Sequence, residues 1–279
     1  MLQFLGLELG VMQGRLLPKY KGRFQAHPVN YWQSEFTLAK ELGFTHIEFI
    51  LDYNEVFDNP LLTASGVQEI KKYINDTGVR VRSICADYFM EAPLHSMNDE
   101  LAKNSLSLMI KLLHSVAPLG IECIVLPCVD QSSVKTETEK EKLIKVLQQL
   151  NKTCEELNIT IALEMDFNPE EFHLLLKQLP ETVSVNYDTG NSASLGYDIR
   201  EEFEAYGHRI SDIHIKDRLF GGGSVEIGKG NTKFERVVEV IKEIKYNGIL
   251  VMQAFRDEEG INILKSQIDT LQQIERQNQ

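Results

Sequence analysis

Four polar residues stand at the ends of short apolar runs, and their types suit metal-assisted proton chemistry. They are Glu164, Asp188, His214 and Gln253, and each of the apolar runs is typical of a β-strand. In a parallel barrel the carboxyl ends of the strands converge on one face, which is where the chemistry of such folds takes place. Two carboxylates, an imidazole and an amide on that face predict a divalent-metal site with an acid/base group attached.

Each of the ionisable residues also has a structural alternative. Glu164 at a strand end is costly to bury unless it is paired or bound to a metal, so a salt bridge at the rim is one alternative. Asp188 precedes Thr189-Gly190 and could cap a turn. His214 could be a core histidine, but Lys216-Asp217-Arg218 follows at once, which indicates that the strand opens onto a site. Carboxylate and imidazole ligands together suit Mn²⁺, Mg²⁺, Co²⁺ or Zn²⁺.

Charged residues that follow the predicted strands are candidates to bind a substrate. The set comprises Arg15, Glu48, Lys216, Arg218, Lys229 and Arg256. Lys229 lies in the glycine-rich segment Gly228-Lys229-Gly230, whose backbone N–H groups could hold a phosphate, as the loops after strands seven and eight do in many barrels. The alternatives are solvated surface charges and a flexible surface hairpin.

Short apolar runs alternate with segments of helical period along the whole chain. The predicted strands are residues 7–13, 46–50, 79–86, 123–127, 159–164, 183–188, 210–214 and 249–253. The predicted helices are residues 32–42, 67–76, 99–117, 138–157, a segment starting after 169, then 198–206, 234–245 and 261–274. Gly43 and Gly78 suit helix ends, and Thr136-x-x-Glu139 suits a capping box.

Eight such β/α units without a linker predict an α/β fold of one domain, residues 1–279, closed as a (β/α)₈ TIM barrel. A dinucleotide-binding sheet is disfavoured because the segment from Gly10 to Gly14 lacks the required glycine fingerprint.

The composition narrows the function classes. The 279 residues carry a formal net charge of −12, which argues against sequence-independent binding to nucleic acid. No run approaches the ~18 apolar residues of a membrane span, and the first eight residues lack a basic segment and reach Glu8, unlike a secretory signal. We therefore expect a cytoplasmic protein whose four scattered cysteines are reduced and mostly buried.

Several motifs give the chain a resemblance to a known family. It resembles the sugar-phosphate isomerases and epimerases with xylose-isomerase-like barrels, which include the L-xylulose 5-phosphate 3-epimerases. It also looks related to tagatose/psicose 3-epimerases and inosose dehydratases. The similarity runs nearly end to end. The segments that carry it are residues 38–44 with Ile47-Glu48, residues 77–81, Glu164, Asp188-x-Gly190-Asn191, His214-Ile215-Lys216-Asp217, and Gly228-Lys229-Gly230 with Phe234.

The resemblance implies a divalent metal held from strands five to eight by Glu164, Asp188, His214 and Gln253, with Glu164 also the general base. In the epimerases the strand-eight ligand is a second glutamate, and the two glutamates face opposite sides of a flat enediolate. Gln253 departs from this pattern. A glutamine oxygen can bind a metal, but an amide cannot take or return a proton near neutral pH. The family often forms dimers or tetramers, so a homo-oligomer is expected by analogy.

We expect an isomerase or epimerase of a small carbohydrate, either a sugar or a sugar phosphate, that moves a proton next to a carbonyl. Because Gln253 removes one acid/base, one-face isomerisation by Glu164 is as credible as epimerisation. Glu48, Asp87 and Asp217 are candidates for a replacement acid. The alternatives are a metal-dependent dehydratase acting on a sugar or an inositol-like ketone, and a sugar-binding barrel without catalysis.

Overall fold

Eight parallel strands form a closed barrel in the computed structural model, which describes residues 1–278. The strands are β1 Leu7–Met12, β2 His46–Ile50, β3 Arg80–Cys85, β4 Cys123–Cys128, β5 Thr160–Met165, β6 Val183–Asp188, β7 Ile210–Ile215 and β8 Ile249–Met252. Strand β1 pairs in parallel with both β2 and β8, which closes the sheet. The predicted α/β barrel is therefore confirmed, and residue 279 of the predicted domain lies outside the described residues.

One long helix follows each strand and covers the outside of the barrel. The helices are α1 Gln33–Leu42, α2 Ala64–Thr77, α3 Asp99–Val116, α4 Glu137–Leu157, α5 Pro169–Leu176, α6 Ile199–Tyr206, α7 Phe234–Glu243 and α8 Ile261–Gln277. Gly43 and Gly78 end α1 and α2 in the left-handed conformation, and Thr136 and Glu139 form the predicted capping box of α4. Among residues 1–278, no helix is long and apolar enough to cross a membrane.

Two apolar clusters hold the strands. The larger one lies between the sheet and the helices. The smaller one fills the barrel interior and consists of Met12, Ile50, Cys85, Cys123, Val125, Ala162, Ile249 and Val251. Gly10 is needed beside this interior cluster because the His46 ring occupies the space that a Cβ atom at residue 10 would take.

Two features of the fold were not predicted, and a third matches an alternative that the sequence left open. Residues Gln3–Phe4 add a short antiparallel strand to β1. The short helices Tyr88–Glu91 and Thr189–Leu195 follow β3 and β6 directly. The sequence of the second short helix, with a glycine and four small polar residues, has no apolar period that would indicate a helix. The glycine-rich loop after β7 forms a hairpin in which Asp217–Arg218 pairs with Ser224–Val225.

Candidate active site

The four predicted metal ligands lie at the carboxyl ends of the four consecutive strands β5 to β8. Glu164 and Asp188 are in the last two residues of β5 and β6, His214 is next to last in β7, and Gln253 directly follows β8. Their exposed fractions are 6%, 4%, 0% and 5%, respectively. Because β5 to β8 are neighbours in the sheet, these side chains share one sector of the rim.

Asp188 uses its two carboxylate oxygens for two different purposes. Oδ1 accepts hydrogen bonds from the backbone N–H of Gly190 (2.9 Å) and Asn191 (2.8 Å), and so caps the helix Thr189–Leu195. Oδ2 accepts from Lys216 Nζ at 3.1 Å. The capping role and the site role are therefore compatible, since each occupies a different oxygen.

The two ring nitrogens of His214 have different surroundings: Nε2 contacts the carboxylate of Glu48, whereas Nδ1 has no hydrogen-bond partner among the described residues. Its Nε2 lies 2.8 Å from Glu48 Oε1 and 3.7 Å from Asp212 Oδ1. Burial alone lowers the pKa of His214, but Glu48, followed by Asp212 and Glu164, raises it to about 10. Within residues 1–278, its Nδ1 makes no hydrogen bond and lies 4.0 Å from Asp188 Oδ2.

Glu48, Asp212 and His214 form a tight buried cluster one layer beneath the rim, with one ligand-type atom of each within 4.8 Å of the others. Burial, followed by the charge of Glu48, raises the pKa of Asp212 well above its ordinary value. Glu48 also accepts a 2.5 Å hydrogen bond from Ser83 Oγ. Glu48 was predicted to bind substrate, but the structure gives it no exposed area and places it behind His214.

Asp212 was missed by the sequence analysis. The available signal was its position two residues before His214 in the same strand, because alternate residues of a strand share a face.

Asn191 links the predicted base to the predicted cations and was also not singled out as a site residue. Its Nδ2 donates to Glu164 Oε1, while its Oδ1 accepts from Arg218 (2.7 Å) and Lys216 (3.4 Å). Burial, and then the charge of Asp188, raises the pKa of Glu164 to about 7. The sequence signal for Asn191 was its place in the segment Asp188-x-Gly190-Asn191, which carries part of the resemblance to the family.

Among the described residues, the amide nitrogen of Gln253 makes one hydrogen bond. Nε2 donates to Gln25 Oε1 at 3.2 Å, and Oε1 is buried without a hydrogen-bond partner among the described residues. Gln25 belongs to the long loop after β1, where no periodicity or motif indicated a role. The unpartnered Gln253 Oε1 and His214 Nδ1 are both atoms of types that bind divalent metals.

Two of the predicted substrate-binding arginines, Arg15 and Arg256, are buried and connect two loops through hydrogen bonds. Arg15 donates from Nε to the carbonyl of Ala254 at 2.8 Å, and Arg256 donates to the carbonyls of Gly14 (2.5 Å) and Leu17 (2.7 Å). Their exposed fractions are 1% and 2%. Burial, and then the nearby charge of Arg256, lowers the pKa of Arg15 to about 10. These contacts tie the loop after β1 to the loop after β8.

The glycine-rich loop is organised by Asp217. Its carboxylate accepts from the backbone N–H groups of Gly228 (2.9 Å), Gly230 (2.9 Å) and Thr232 (3.0 Å). The N–H groups of Gly228 and Gly230, which were predicted to hold a phosphate, are thus already bonded within the protein. The Lys229 side chain is 65% exposed and pairs with Glu226 at 2.6 Å.

Lys216 and Arg218 are the predicted substrate-binding cations that lie beside the predicted metal ligands. Lys216 bonds to Asp188, and both cations bond to Asn191. Gly190 makes this approach feasible, because a Cβ atom there would lie 2.8 Å from Lys216 Cγ. Arg218 is also anchored through its Nε and NH2 atoms to the carbonyl of Gly222. Both cations therefore lie beside Asn191 in a fixed geometry.

Of the three candidates for a second acid, Asp87 is the one that stays at the rim. It follows β3, and its oxygens accept from Gln25 Nε2 (2.8 Å) and Cys85 Sγ (3.1 Å). Burial raises its pKa. The other two candidates, Glu48 and Asp217, are engaged by His214 and by the glycine-rich loop.

A family model described as Xylose isomerase-like TIM barrel matches residues 36–274. The chain belongs to this family. A relative from Escherichia coli (strain UMN026 / ExPEC), L-ribulose-5-phosphate 3-epimerase UlaE, is 26% identical over 239 residues, which cover 81% of this chain and 83% of the relative. The predicted family is confirmed.

Solved structures show the same fold at low sequence identity. D-psicose 3-epimerase from Clostridium cellulolyticum H10, solved with D-tagatose, has a TM-score of 0.74 at 17% identity and covers 97% of both chains. The IOLI protein, solved with a zinc atom, has a TM-score of 0.74 at 16% identity and covers 96% of both chains. The name of the curated relative from Escherichia coli confirms the predicted enzyme class, sugar isomerase or epimerase, at that general level.

Proposed function

We propose that this protein is a metal-dependent isomerase or epimerase of a small sugar or sugar phosphate. Glu164, Asp188, His214 and Gln253 would hold the divalent ion. The observation that carries the proposal is the pair of unpartnered buried atoms, His214 Nδ1 and Gln253 Oε1, in the same sector as two carboxylates. Because the surroundings raise the pKa of His214, metal binding through Nδ1 would release a proton from the ring. Two anionic and two neutral ligands would then leave the loaded site formally neutral.

The residues around the ion are suited to moving a proton next to a carbonyl. When bound, a divalent metal polarises the substrate carbonyl and makes the adjacent C–H more acidic. Glu164 would take that proton and yield an enediolate, with Asn191 fixing the orientation of its carboxylate. Lys216 and Arg218 would bind substrate hydroxyl or phosphate oxygens, because both bond to Asn191, which in turn bonds to this carboxylate.

The position of the second acid separates the two reactions. Epimerisation needs proton access from both faces of the enediolate, whereas isomerisation between aldose and ketose can use one base on one face. Gln253 cannot transfer a proton near neutral pH, so an epimerase would need another acid at the rim. Asp87 fits that role best because of its position after β3 and its raised pKa.

Hydrogen exchange with solvent tests the proposal. Mn²⁺-loaded protein would be incubated in D₂O with pentuloses, hexuloses and their phosphates, including L-ribulose 5-phosphate, which is named in the relative's activity. NMR would then locate the deuterium. Deuterium at C3 with a new epimer shows epimerisation, and deuterium at C1 or C2 with an aldose product shows isomerisation.

The same experiment rejects the proposal under two outcomes. A conjugated enone absorbance together with loss of water would identify a dehydratase. Bound metal without exchange into any of these sugars would identify a binding protein.

A further inference from the structure

A chain of hydrogen bonds from three different loops ends on the amide of Gln253. Gln25 Oε1 accepts from Gln253 Nε2 (3.2 Å) and from the NH2 atom of Arg15 (2.8 Å), and Gln25 Nε2 donates to Asp87 Oδ2 (2.8 Å). Residues 15 and 25 belong to the loop after β1, Asp87 follows β3, and Gln253 follows β8. The chain therefore crosses the rim from β3 to β8.

The chemistry of these partners permits one orientation of both amides. A guanidinium only donates hydrogen bonds, so Arg15 requires Gln25 to present its oxygen. With its oxygen turned to Arg15, Gln25 presents its NH₂ group to Asp87 Oδ2, which accepts from it. Because Gln25 Oε1 also faces residue 253, Gln253 must present its own NH₂ group to it. The oxygen of Gln253 is then left unpartnered, as observed.

An ionised glutamate would not fit this arrangement. Its carboxylate would place an acceptor opposite Gln25 Oε1, where the structure has a donor 3.2 Å away. Gln25 cannot turn over to offer its NH₂ group without breaking its bonds to Arg15 and Asp87. The surroundings of residue 253 thus complement an amide and oppose a carboxylate.

We propose that Gln25 is a positioning residue that selects glutamine at position 253 and directs Gln253 Oε1 toward the metal as a neutral ligand. The inference rests on the proposed metal site. Under this inference, the surroundings of residue 253 favour glutamine over a second glutamate. Proton transfer at this site is then assigned to Glu164 and not to residue 253.

A double-mutant cycle in Mn²⁺ affinity tests this inference. Chelator-stripped protein would be titrated with Mn²⁺ by calorimetry for the wild type, Gln25→Met, Gln253→Glu and the double variant. We expect Gln25→Met to weaken Mn²⁺ binding by about tenfold or more, the usual effect of removing a residue that orients a metal ligand. Gln253→Glu should strengthen binding at least about tenfold more in the Gln25→Met background than in the wild type, because the opposing oxygen is gone.

The control is Gln33→Met, because Gln33 lies in the following helix and its amide bonds to Glu69 at the surface (2.9 Å). It should leave Mn²⁺ affinity within about twofold of the wild type. The inference is overturned if Gln25→Met also stays within about twofold, or if Gln253→Glu changes affinity by the same factor in both backgrounds. A wild-type protein that binds no Mn²⁺ would instead overturn the proposed function, and the ligand role of Gln253 with it.

A metal-free measurement checks the complementarity separately. In EDTA, Gln253→Glu should lower the urea midpoint of unfolding in the wild-type background, and it should lower that midpoint less in the Gln25→Met background. Equal decreases in both backgrounds would overturn the claim that Gln25 opposes a carboxylate at position 253, even if metal binding is retained. Circular dichroism would confirm that each variant is folded.

Discussion

Two nitrogen atoms of one imidazole have different partners at the centre of this site. His214 Nε2 bonds to Glu48 at 2.8 Å, and Nδ1 lacks a hydrogen-bond partner among the described residues. A carboxylate behind a histidine ligand fixes the ring and raises the basicity of the nitrogen that binds the metal. At the residue scale, the fully buried Glu48 is therefore assigned to orienting His214 and not to touching substrate.

We predict that Glu48→Gln weakens Mn²⁺ binding by about 10- to 100-fold, because the amide can still contact His214 Nε2 but carries no charge. Calorimetric titration measures this change. Glu226→Gln is a suitable control, since Glu226 pairs with Lys229 at the surface. Unchanged affinity in Glu48→Gln would contradict the orienting role.

The two rim lysines should differ sharply in their effect on turnover. Lys216 contacts Asp188 and Asn191, whereas within residues 1–278 Lys229 pairs only with Glu226, in an exposed ion pair of the kind that contributes little. We expect Lys216→Ala to lower kcat/KM for the best sugar substrate by about 100-fold or more, which is the scale of a lost charged contact. Lys229→Ala should stay within about twofold. Steady-state kinetics on both variants measures the contrast, and equal losses would show that the glycine-rich loop binds substrate after all.

Asp87 should act on one of the two reactions only. We predict that Asp87→Asn slows deuterium incorporation at C3 by about 100-fold, within the usual contribution of a general acid or base, and leaves incorporation at C1 unchanged. Asparagine keeps an oxygen that can accept from Gln25, so Mn²⁺ affinity should change little. Asp99→Asn, which removes a surface charge paired with Lys142, serves as control. Equal slowing at both carbons would argue that Asp87 only supports the structure.

At the scale of elements, the short helix Thr189–Leu195 contributes Asn191 to the site and is held in place by Glu202 of the neighbouring helix α6. Glu202 on α6 accepts hydrogen bonds from Ser192 (2.5 Å), Tyr187 (3.0 Å) and Tyr206 (2.9 Å). The Ser192 contact fixes the helix next to Asn191, and the Tyr187 contact fixes β6 next to its last residue. Glu202 thus joins the outer helix α6 to the strand and the short helix that position Asp188 and Asn191.

Glu202 should make the stability of the fold depend on pH. Burial raises its pKa from 4.5 to about 7, so between these pH values the folded state holds a proton that the unfolded chain releases. Stability from this group is complete below pH about 4.5 and is lost as the pH rises to about 7, by about 3 kcal/mol at most. Glu202→Gln cannot titrate. Urea unfolding at pH 5 and pH 8 should therefore show the wild type losing stability relative to Glu202→Gln, and a constant difference would refute the assignment.

At the scale of the whole molecule, a metal that binds the folded barrel alone should stabilise it. The predicted ligands come from four strands, so no such site exists in the unfolded chain. Mn²⁺ at 100 times its Kd would add about 2.7 kcal/mol, which corresponds to a rise in Tm of roughly 5 °C for a chain of this size. Thermal scans in Mn²⁺ and in EDTA measure the difference. Gln253→Leu should show a smaller rise, and identical Tm values for the wild type in both conditions would contradict the metal site.

The order of elements and the four candidate ligands were predictable from the sequence because they depend on short-range signals. Apolar runs and helical periods located all eight strands and all eight long helices, and glycine ends and the capping box were correct in detail. The helix Thr189–Leu195 was missed because its stability comes from the Asp188 cap and from contacts with Glu202, and not from a periodic apolar face.

The partners of each site residue were decided only by the tertiary structure. Gln253 and Gln25 are 228 residues apart in the chain, and His214 and Glu48 are 166 apart. Closing the barrel brings these segments together, and no local pattern records which loop approaches which strand end. Closure also buries Arg15 against backbone carbonyls and leads Asp217 to occupy the N–H groups of the glycine-rich loop. Short-range signals located the strand ends at which these side chains stand. The fold decided which of them lie beneath the rim, as Glu48 does, which are already bonded and which are left to bind.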